Sequence, residues 1–178
     1  MIDSRYLIIG GSRSGKSFFA ESLIADYDQV DYLATSESRL DDPEWQQRIA
    51  LHRERRPSTW TTIETIDLNE PIRAATSRPL MIDCLTIWLT RHMDRAGIWT
   101  NQPAADLTLQ ASFDSLVDSI AHATRPLIIV TNEVGQGIVP ADPGTRRFRD
   151  EMGTINRRVA AVVDQVYLIT AGIPLRLK

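Results

Sequence analysis

The sequence predicts an α/β domain, a mostly parallel β-sheet with helices on both faces. Three observations carry this prediction. Short apolar runs alternate with helix-like patterns along the chain. Several of those runs are continuously apolar, as strands buried on both faces must be. The first run also passes through a glycine-rich turn directly into a helical pattern.

Taken in order, "YLIIG" (Tyr6–Gly10) is the first buried strand. A helical pattern runs from Lys16 to about Tyr27, with Phe19, Leu23 and Ile24 on one side. "VDYLATS" (Val30–Ser36) is a second strand. "DDPEWQQRIALHRER" follows as a helix, with Asp42 as N-cap, Pro43 at the first helical position and Glu44 in the first turn. "WTTIET" (Trp60–Thr65) is a short strand candidate, and "PLMIDC" (Pro79–Cys84) is a clear apolar one. "LTIWLTRHM" and the segment from Asp106 to Ala123 read as helices, the second closed by Pro126. "TNQPAA" (Thr100–Ala105) is the loop before the longer of them. "PLIIVTNEVG" (Pro126–Gly135) is the fourth clear strand. A helix from Thr145 to Val163, a strand at Val166–Gly172 and a neighbouring "PLRLK" complete the chain. Ligands of such sheets bind beyond the carboxyl ends of the strands.

Composition agrees with one domain over residues 1–178. Hydrophobic residues make up 43% and charged residues 24%, the ordinary balance of a globular chain. A net charge of -3 argues against a broad nucleic-acid footprint. Cys84 is the only cysteine, so no intrachain disulfide can form and a reducing, cytoplasmic location is expected. "MIDSRYLIIGG" is too short and too acidic for a signal peptide, and no apolar run approaches the roughly 20 residues of a membrane span.

"GGSRSGKS" spans Gly10, Gly11, Ser12, Arg13, Ser14, Gly15, Lys16 and Ser17. It matches the G-x-x-x-x-G-K-[ST] pattern of a P-loop, in the strand–turn–helix context that gives the pattern meaning. Glycines let the backbone wrap phosphate oxygens, and Lys16 brings a compact positive charge to the β- and γ-phosphates. The Ser17 hydroxyl and the strand-end carboxylate of Asp83 are the expected Mg2+ ligands. Asp83 also reads as a helix N-cap. A bound nucleoside triphosphate follows, but the P-loop alone leaves a kinase, a switch and a nucleotidyltransferase open.

"RIALHRERRPSTW" poses a sharper question. By itself, His52 among Arg53, Glu54, Arg55 and Arg56 reads as a solvated residue of a charged helix. Its chemistry also suits attack on an α-phosphate, since a neutral imidazole is a good nucleophile and cationic neighbours favour the neutral form. His92 and His122 read as structural. Asn132 and Glu133, at the end of a strand, would face the ligand cleft, where Glu133 can accept a proton or act only as a turn cap. Arg146, Arg147, Arg149, Asn156, Arg157 and Arg158 form a polar stripe. A solvated helix face is one reading of that stripe, and a subunit or substrate-phosphate contact is the other.

Together, "GGSRSGKS", "YLATS", "LDDPEWQQRIALHRERRPSTWTTIE", "TNEVGQGIVP" and "RRFRDEMGTINRRVAAVVDQVYLITAGIPLRLK" resemble the bifunctional adenosylcobinamide kinase/adenosylcobinamide-phosphate guanylyltransferase family of cobalamin biosynthesis. The resemblance implies a RecA-type P-loop fold and a homotrimer. It implies phosphorylation of adenosylcobinamide, with ATP or GTP as donor and Mg2+ as cofactor. It also implies transfer of GMP from GTP through a covalent GMP-histidine, which falls on His52. The nucleotide contacts it implies are Gly10–Ser17, Ala34, Thr35, Ser36, Arg53, Glu54, Arg55, Arg56, Glu64 and Asp83. Leu51 stands where many relatives carry a second histidine, and Asp83 where some carry glutamate. A P-loop kinase without a covalent intermediate and a nucleotide-gated binding module are the alternatives.

Overall fold

The structure is a computed structural model, and it describes residues 4–36, 46–47, 50, 54, 56–100 and 104–178. Among the described residues, seven strands form one sheet: β1 (Arg5–Gly10), β2 (Asp31–Ala34), β3 (Thr61–Glu64), β4 (Leu80–Asp83), β5 (Leu127–Asn132), β6 (Gln165–Thr170) and β7 (Ile173–Arg176). Their spatial order is β3-β2-β4-β5-β1-β6-β7. Every pairing is parallel except the antiparallel β6–β7 pair. The α-helices bounded among the described residues are α1 (Lys16–Ser22), α2 (Asn69–Arg73), α3 (Leu85–Ala96), α4 (Ala105–Ala121) and α5 (Pro143–Val162).

The continuous apolar runs are explained by two cores, one on each face of the sheet. Leu7, Ile82 and Ile129 pack with α3, α4 and α5 on one side. Their chain neighbours Ile8, Met81, Ile128 and Val130 pack with Ala20 and Ile24 on the other. Alternate residues of one strand thus serve opposite faces, and none of them can be polar.

Four expectations need adjustment. The first helix closes at Ser22 rather than near Tyr27. The N–H of Ile24 bonds the Glu21 carbonyl and that of Tyr27 the Ile24 carbonyl, so the chain tightens into three-residue turns. The last helix begins at Pro143, because the Asp142 carboxylate accepts the Thr145 N–H at 2.7 Å and proline suits the first helical position. The single-turn α2 was not expected at all. "PLRLK" does pair, as β7, but β7 starts at Ile173. Asp42, Pro43 and Glu44 lie outside the described residues, whereas Gln46, Gln47, Ala50 and Glu54 have helical backbone.

A buried ion pair ties the turn between α4 and β5 to β2. Arg125 donates to Asp31 Oδ2 at 2.6 Å, with side chains only 1% and 5% exposed. It also donates to the carbonyls of Pro71 and Arg78 at 2.9 Å each. Removing Arg125 leaves the buried Asp31 carboxylate with the longer, 3.5 Å contact to the more exposed Arg78 and frees the bonds to the Pro71 and Arg78 carbonyls. Arg125→Met should therefore lower stability by about 3–5 kcal/mol, a fall in Tm on the order of 10 °C for a chain of this length. A melting curve within about 2 °C of the native one would show that this pair contributes little.

Candidate active site

The sheet register gathers the predicted residues along one edge. Gly10 pairs with Asn132, two residues beyond the row formed by Glu64, Ala34, Asp83 and Val130. All of these lie at the carboxyl ends of parallel strands, where the fold places ligands.

The P-loop is built by backbone necessity. Gly15 has φ 93°, a left-handed conformation that favours glycine, and it opens α1. A Cβ on Gly10 would lie 2.7 Å from the Ile169 carbonyl, so no side chain fits there. The loop is held from outside by the β6–β7 turn, where the Gly172 N–H donates to the Ser14 carbonyl at 2.8 Å. Lys16 Nζ donates to the Gly11 carbonyl at 3.0 Å, which folds the ammonium over the loop. The Ser14 hydroxyl oxygen is buried within the loop with no hydrogen-bond partner among the described residues. Such a group costs about 1–3 kcal/mol when unsatisfied. A phosphate oxygen is the partner a loop of this shape would supply, so the residues present fit a bound nucleotide.

Asp83 sits opposite this loop on β4. Its Oδ2 accepts the Tyr32 hydroxyl at 2.9 Å. The Arg56 guanidinium stacks on the Tyr32 ring, 3.7 Å from the centroid, and donates to Thr62 Oγ1 at 3.3 Å. Burial, followed by the negative charge of Asp83, holds the Tyr32 phenol well above its usual pKa, so it stays a donor. An unbroken line of contact therefore joins the arginine-rich segment to the strand-end carboxylate. Among the described residues no cluster of three or more His, Cys, Asp and Glu could enclose a metal. The Asp83 carboxylate and the Ser17 hydroxyl are oxygen donors of the kind that Mg2+ takes beside substrate phosphates.

Thr35 is fully buried and exchanges hydrogen bonds with Cys84, donating to its carbonyl at 2.8 Å and accepting its N–H at 3.1 Å. Arg91 donates to the Thr35 carbonyl at 3.0 Å. Ala34 and Ser36 flank it half-buried, and Glu64 is exposed at the end of β3. Burial, followed by the negative charge of Asp83, pushes the Cys84 thiol up to about 11, so it is no nucleophile near neutral pH. Glu54 is exposed on helical backbone. His52, Arg53 and Arg55 lie outside the described residues.

Glu133 is tied to the P-loop through its backbone, its N–H donating to the Gly10 carbonyl at 3.2 Å. Its Oε1 accepts the Gly135 N–H at 2.5 Å, so the carboxylate closes its own turn. Asn132 is locked at both ends: its N–H donates to Thr86 Oγ1 at 3.0 Å and its carbonyl accepts Asn156 Nδ2 at 3.0 Å. His92 packs against Trp88, with ring centroids 4.2 Å apart and the rings tilted by 38°, and contacts Ser112 Oγ through Nδ1 at 3.1 Å. Burial, with Arg95 and Arg91 nearby, lowers its pKa. His122 is exposed, its Nδ1 2.9 Å from the Asp118 carbonyl.

Sequence reasoning missed Tyr32, Arg91 and Thr86. For Tyr32 a signal existed: a tyrosine inside a strand buried on both faces needs a partner for its hydroxyl. Arg91 and Thr86 act through backbone groups of other elements, and no local pattern announces that.

Comparison with known proteins agrees with this geometry. Among solved structures, the chain is similar to the assembled ATPase EscN of the enteropathogenic Escherichia coli type III secretion system. That match has a TM-score of 0.58 and 16% identity, over 95% of this chain and 43% of that one. A second type III secretion ATPase of pathogenic bacteria gives a TM-score of 0.55 at 17% identity, over 98% of this chain and 57% of that one. These likenesses establish a P-loop ATPase fold. Among characterised proteins, the bifunctional adenosylcobalamin biosynthesis protein CobU of Escherichia coli is 38% identical, over 97% of this chain and 98% of its own. The corresponding CobP of Pseudomonas aeruginosa is 37% identical, over 98% of this chain and 97% of its own. The family model for cobinamide kinase/cobinamide phosphate guanyltransferase matches residues 6–177. With nearly the whole chain matched, and its P-loop and strand-end carboxylate at one sheet edge, the chain belongs to the cobinamide kinase/cobinamide phosphate guanyltransferase family.

Proposed function

We propose that this protein phosphorylates adenosylcobinamide and then transfers GMP from GTP to the phosphorylated product, through a covalent GMP on His52. The observation that supports it most is the family match over residues 6–177, which includes the P-loop and the histidine segment.

In the first reaction, the acceptor hydroxyl attacks the γ-phosphorus of a nucleoside triphosphate, ATP or GTP. The bond to the β–γ bridging oxygen breaks, and the nucleoside diphosphate leaves. Lys16 and the N–H groups of Gly11–Ser17 hold the phosphates in line. Glu133 takes the hydroxyl proton, with Asn132 fixing the strand end beside it. Ser17 and Asp83 would hold Mg2+, which would supply neutralising charge to the phosphate oxygens.

In the second reaction, an imidazole nitrogen of His52 attacks the α-phosphorus of GTP. A P–N bond forms, the α–β bond breaks and pyrophosphate departs. The phosphate of the acceptor then attacks the same phosphorus, breaks the P–N bond and frees His52 as adenosylcobinamide-GDP forms. Arg53, Arg55 and Arg56 balance the charge of the departing pyrophosphate. Ala34, Thr35, Ser36, Glu54 and Glu64 border the nucleotide. Tyr32 keeps Asp83 oriented from behind, steadied by the Arg56 guanidinium.

The test is stepwise turnover. Adenosylcobinamide with ATP should give only the phosphorylated corrinoid, and adding GTP should convert it to the GDP derivative with release of pyrophosphate. Phosphorylation without conversion would reduce the protein to a P-loop kinase, and absence of both would end the reading.

A reducing cytoplasm and a homotrimer complete the proposal. The single cysteine supports the first, and cell fractionation that finds the protein elsewhere would contradict it. Among the described residues no helix is long and apolar enough to cross a membrane. The trimer is supported by the family relationship and by the apolar outer residues Ile173 and Leu175 of β7 and Leu177 just beyond it, each more than half exposed. Light scattering should report three chains per particle at micromolar concentration, and a fully active monomer would refute it.

A further inference from the structure

The arginine stripe of α5 divides into two faces with different work. Arg147, Arg158 and Asn156 turn toward the body of the protein. Arg147 pairs with Asp106 at 2.7 Å and Glu151 at 2.8 Å, Arg158 pairs with Asp114 at 2.5 Å, and Asn156 bonds Thr131 at 2.8 Å. Arg146, Arg149 and Arg157 line a groove of about 470 Å³ instead, together with Gly135, Val139 and Gly153. That volume falls within the roughly 300–1,000 Å³ of small-molecule sites.

Gly153 is the telling residue. It sits inside a twenty-residue helix, where glycine is among the least favourable choices. A Cβ built there would meet nothing within 4 Å, so packing within the chain does not require the glycine. What the missing side chain provides is a bare stretch of helix backbone on the groove floor, between Arg149 and Arg157. The opposite wall is the loop after β5, which carries Ile138 and Val139 at 96% and 65% exposure. That loop leaves the P-loop directly: the Glu133 N–H bonds the Gly10 carbonyl, Glu133 Oε1 accepts the Gly135 N–H, and the Gly135 carbonyl accepts from Arg149. The groove thus opens at the sheet edge that holds the nucleotide.

We propose that this groove receives one edge of the corrinoid acceptor, which rests on the function proposed above. The chemistry of the lining selects it. The Arg157 guanidinium, with the donors that Arg146 and Arg149 do not place on the Pro140, Ala141 and Gly135 carbonyls, can donate to amide carbonyls and to phosphate oxygens, whereas exposed Asp150 accepts from amide N–H groups. A carboxylate among the arginines disfavours a bare polyphosphate and suits a macrocycle fringed with amides that carries a single phosphate. The apolar Val139 of the groove wall covers the hydrocarbon of the ring, and the Cβ-free backbone at Gly153 lets its rim approach closely.

Gly153→Ala is the diagnostic variant, because the fold and the ligand respond in opposite directions. It should raise Tm by roughly 1–4 °C through better helix propensity. Formation of the covalent GMP adduct from GTP should be unchanged, while KM for the corrinoid acceptor rises about tenfold in both reactions. Arg157→Gln, at an exposed position, should likewise raise that KM about tenfold and leave adduct formation intact. If wild type turns over but both variants keep its KM, the groove assignment is wrong and the function stands. Unchanged KM with an altered particle size in light scattering would make the groove a subunit seam, which also overturns the assignment. If wild type turns over no corrinoid, both this inference and the function beneath it fall.

Discussion

Lys16→Ala should abolish both phosphoryl and guanylyl transfer while the protein remains folded. The ammonium folds over the loop onto the Gly11 carbonyl, where a β- or γ-phosphate oxygen would be its stronger partner. Both reactions start from a triphosphate anchored by the same strand–loop–helix. Losing the one compact cation of that cradle removes charge stabilisation from two transition states at once. Removing a single preorganised donor of this kind costs on the order of 10²–10³ in rate, so each kcat/KM should drop by at least about 10²-fold. Half-buried Lys16 is not part of either apolar core, so its loss should leave Tm within a few degrees of wild type, about 1 kcal/mol or less. Guanylylation near the wild-type rate in this variant would mean that GTP sits elsewhere.

His52→Asn should separate the two reactions. The phosphate cradle and Asp83 owe nothing to the imidazole, so triphosphate binding should persist and corrinoid phosphorylation should survive at least in part. Guanylyl transfer should fall by several orders of magnitude, because the variant lacks a nucleophile for the α-phosphorus. The other candidate nucleophiles are poor substitutes. Cys84 is buried with its thiol raised to about 11, and His92 is packed against Trp88 with its Nδ1 engaged by Ser112 Oγ at 3.1 Å. Retained adduct formation in His52→Asn would move the nucleophile to another residue, with His122 the exposed histidine to examine next.

Much of the fold could be read in the sequence because the strands are buried on both faces. A run such as "PLMIDC" or "PLIIVTN" has no polar position to confuse its period, and β4 and β5 appear where those runs lie. Strand ends shifted by up to three residues, since pairing stops where backbone partners stop and side-chain character does not record that. The single turn of α2 was not legible because five residues hold no period to detect. The helix at Pro143 carried a plain signal in "DP", an N-cap followed by proline, which outweighs the weaker pattern that suggested Thr145.

The candidate site was legible where chemistry is local. "GGSRSGKS" encodes its own turn and helix start, and the described loop has that form. The supports were not legible, because they join residues distant in sequence: Gly172 to Ser14, Tyr32 to Asp83, Asn156 to Asn132. The arginine stripe shows the same limit. Its spacing announced a polar face, yet only packing reveals that Arg147 and Arg158 are spent on ion pairs while Arg146, Arg149 and Arg157 border a groove.

The account rests most heavily on His52 as the residue that carries GMP. The direct measurement is peptide mass spectrometry of the native protein after incubation with GTP and Mg2+, beside the same treatment of His52→Asn. The account predicts one added GMP on the peptide containing "IALHRER", lost in acid and absent from the variant. No adduct on the native protein, or an adduct that persists in the variant, would contradict it.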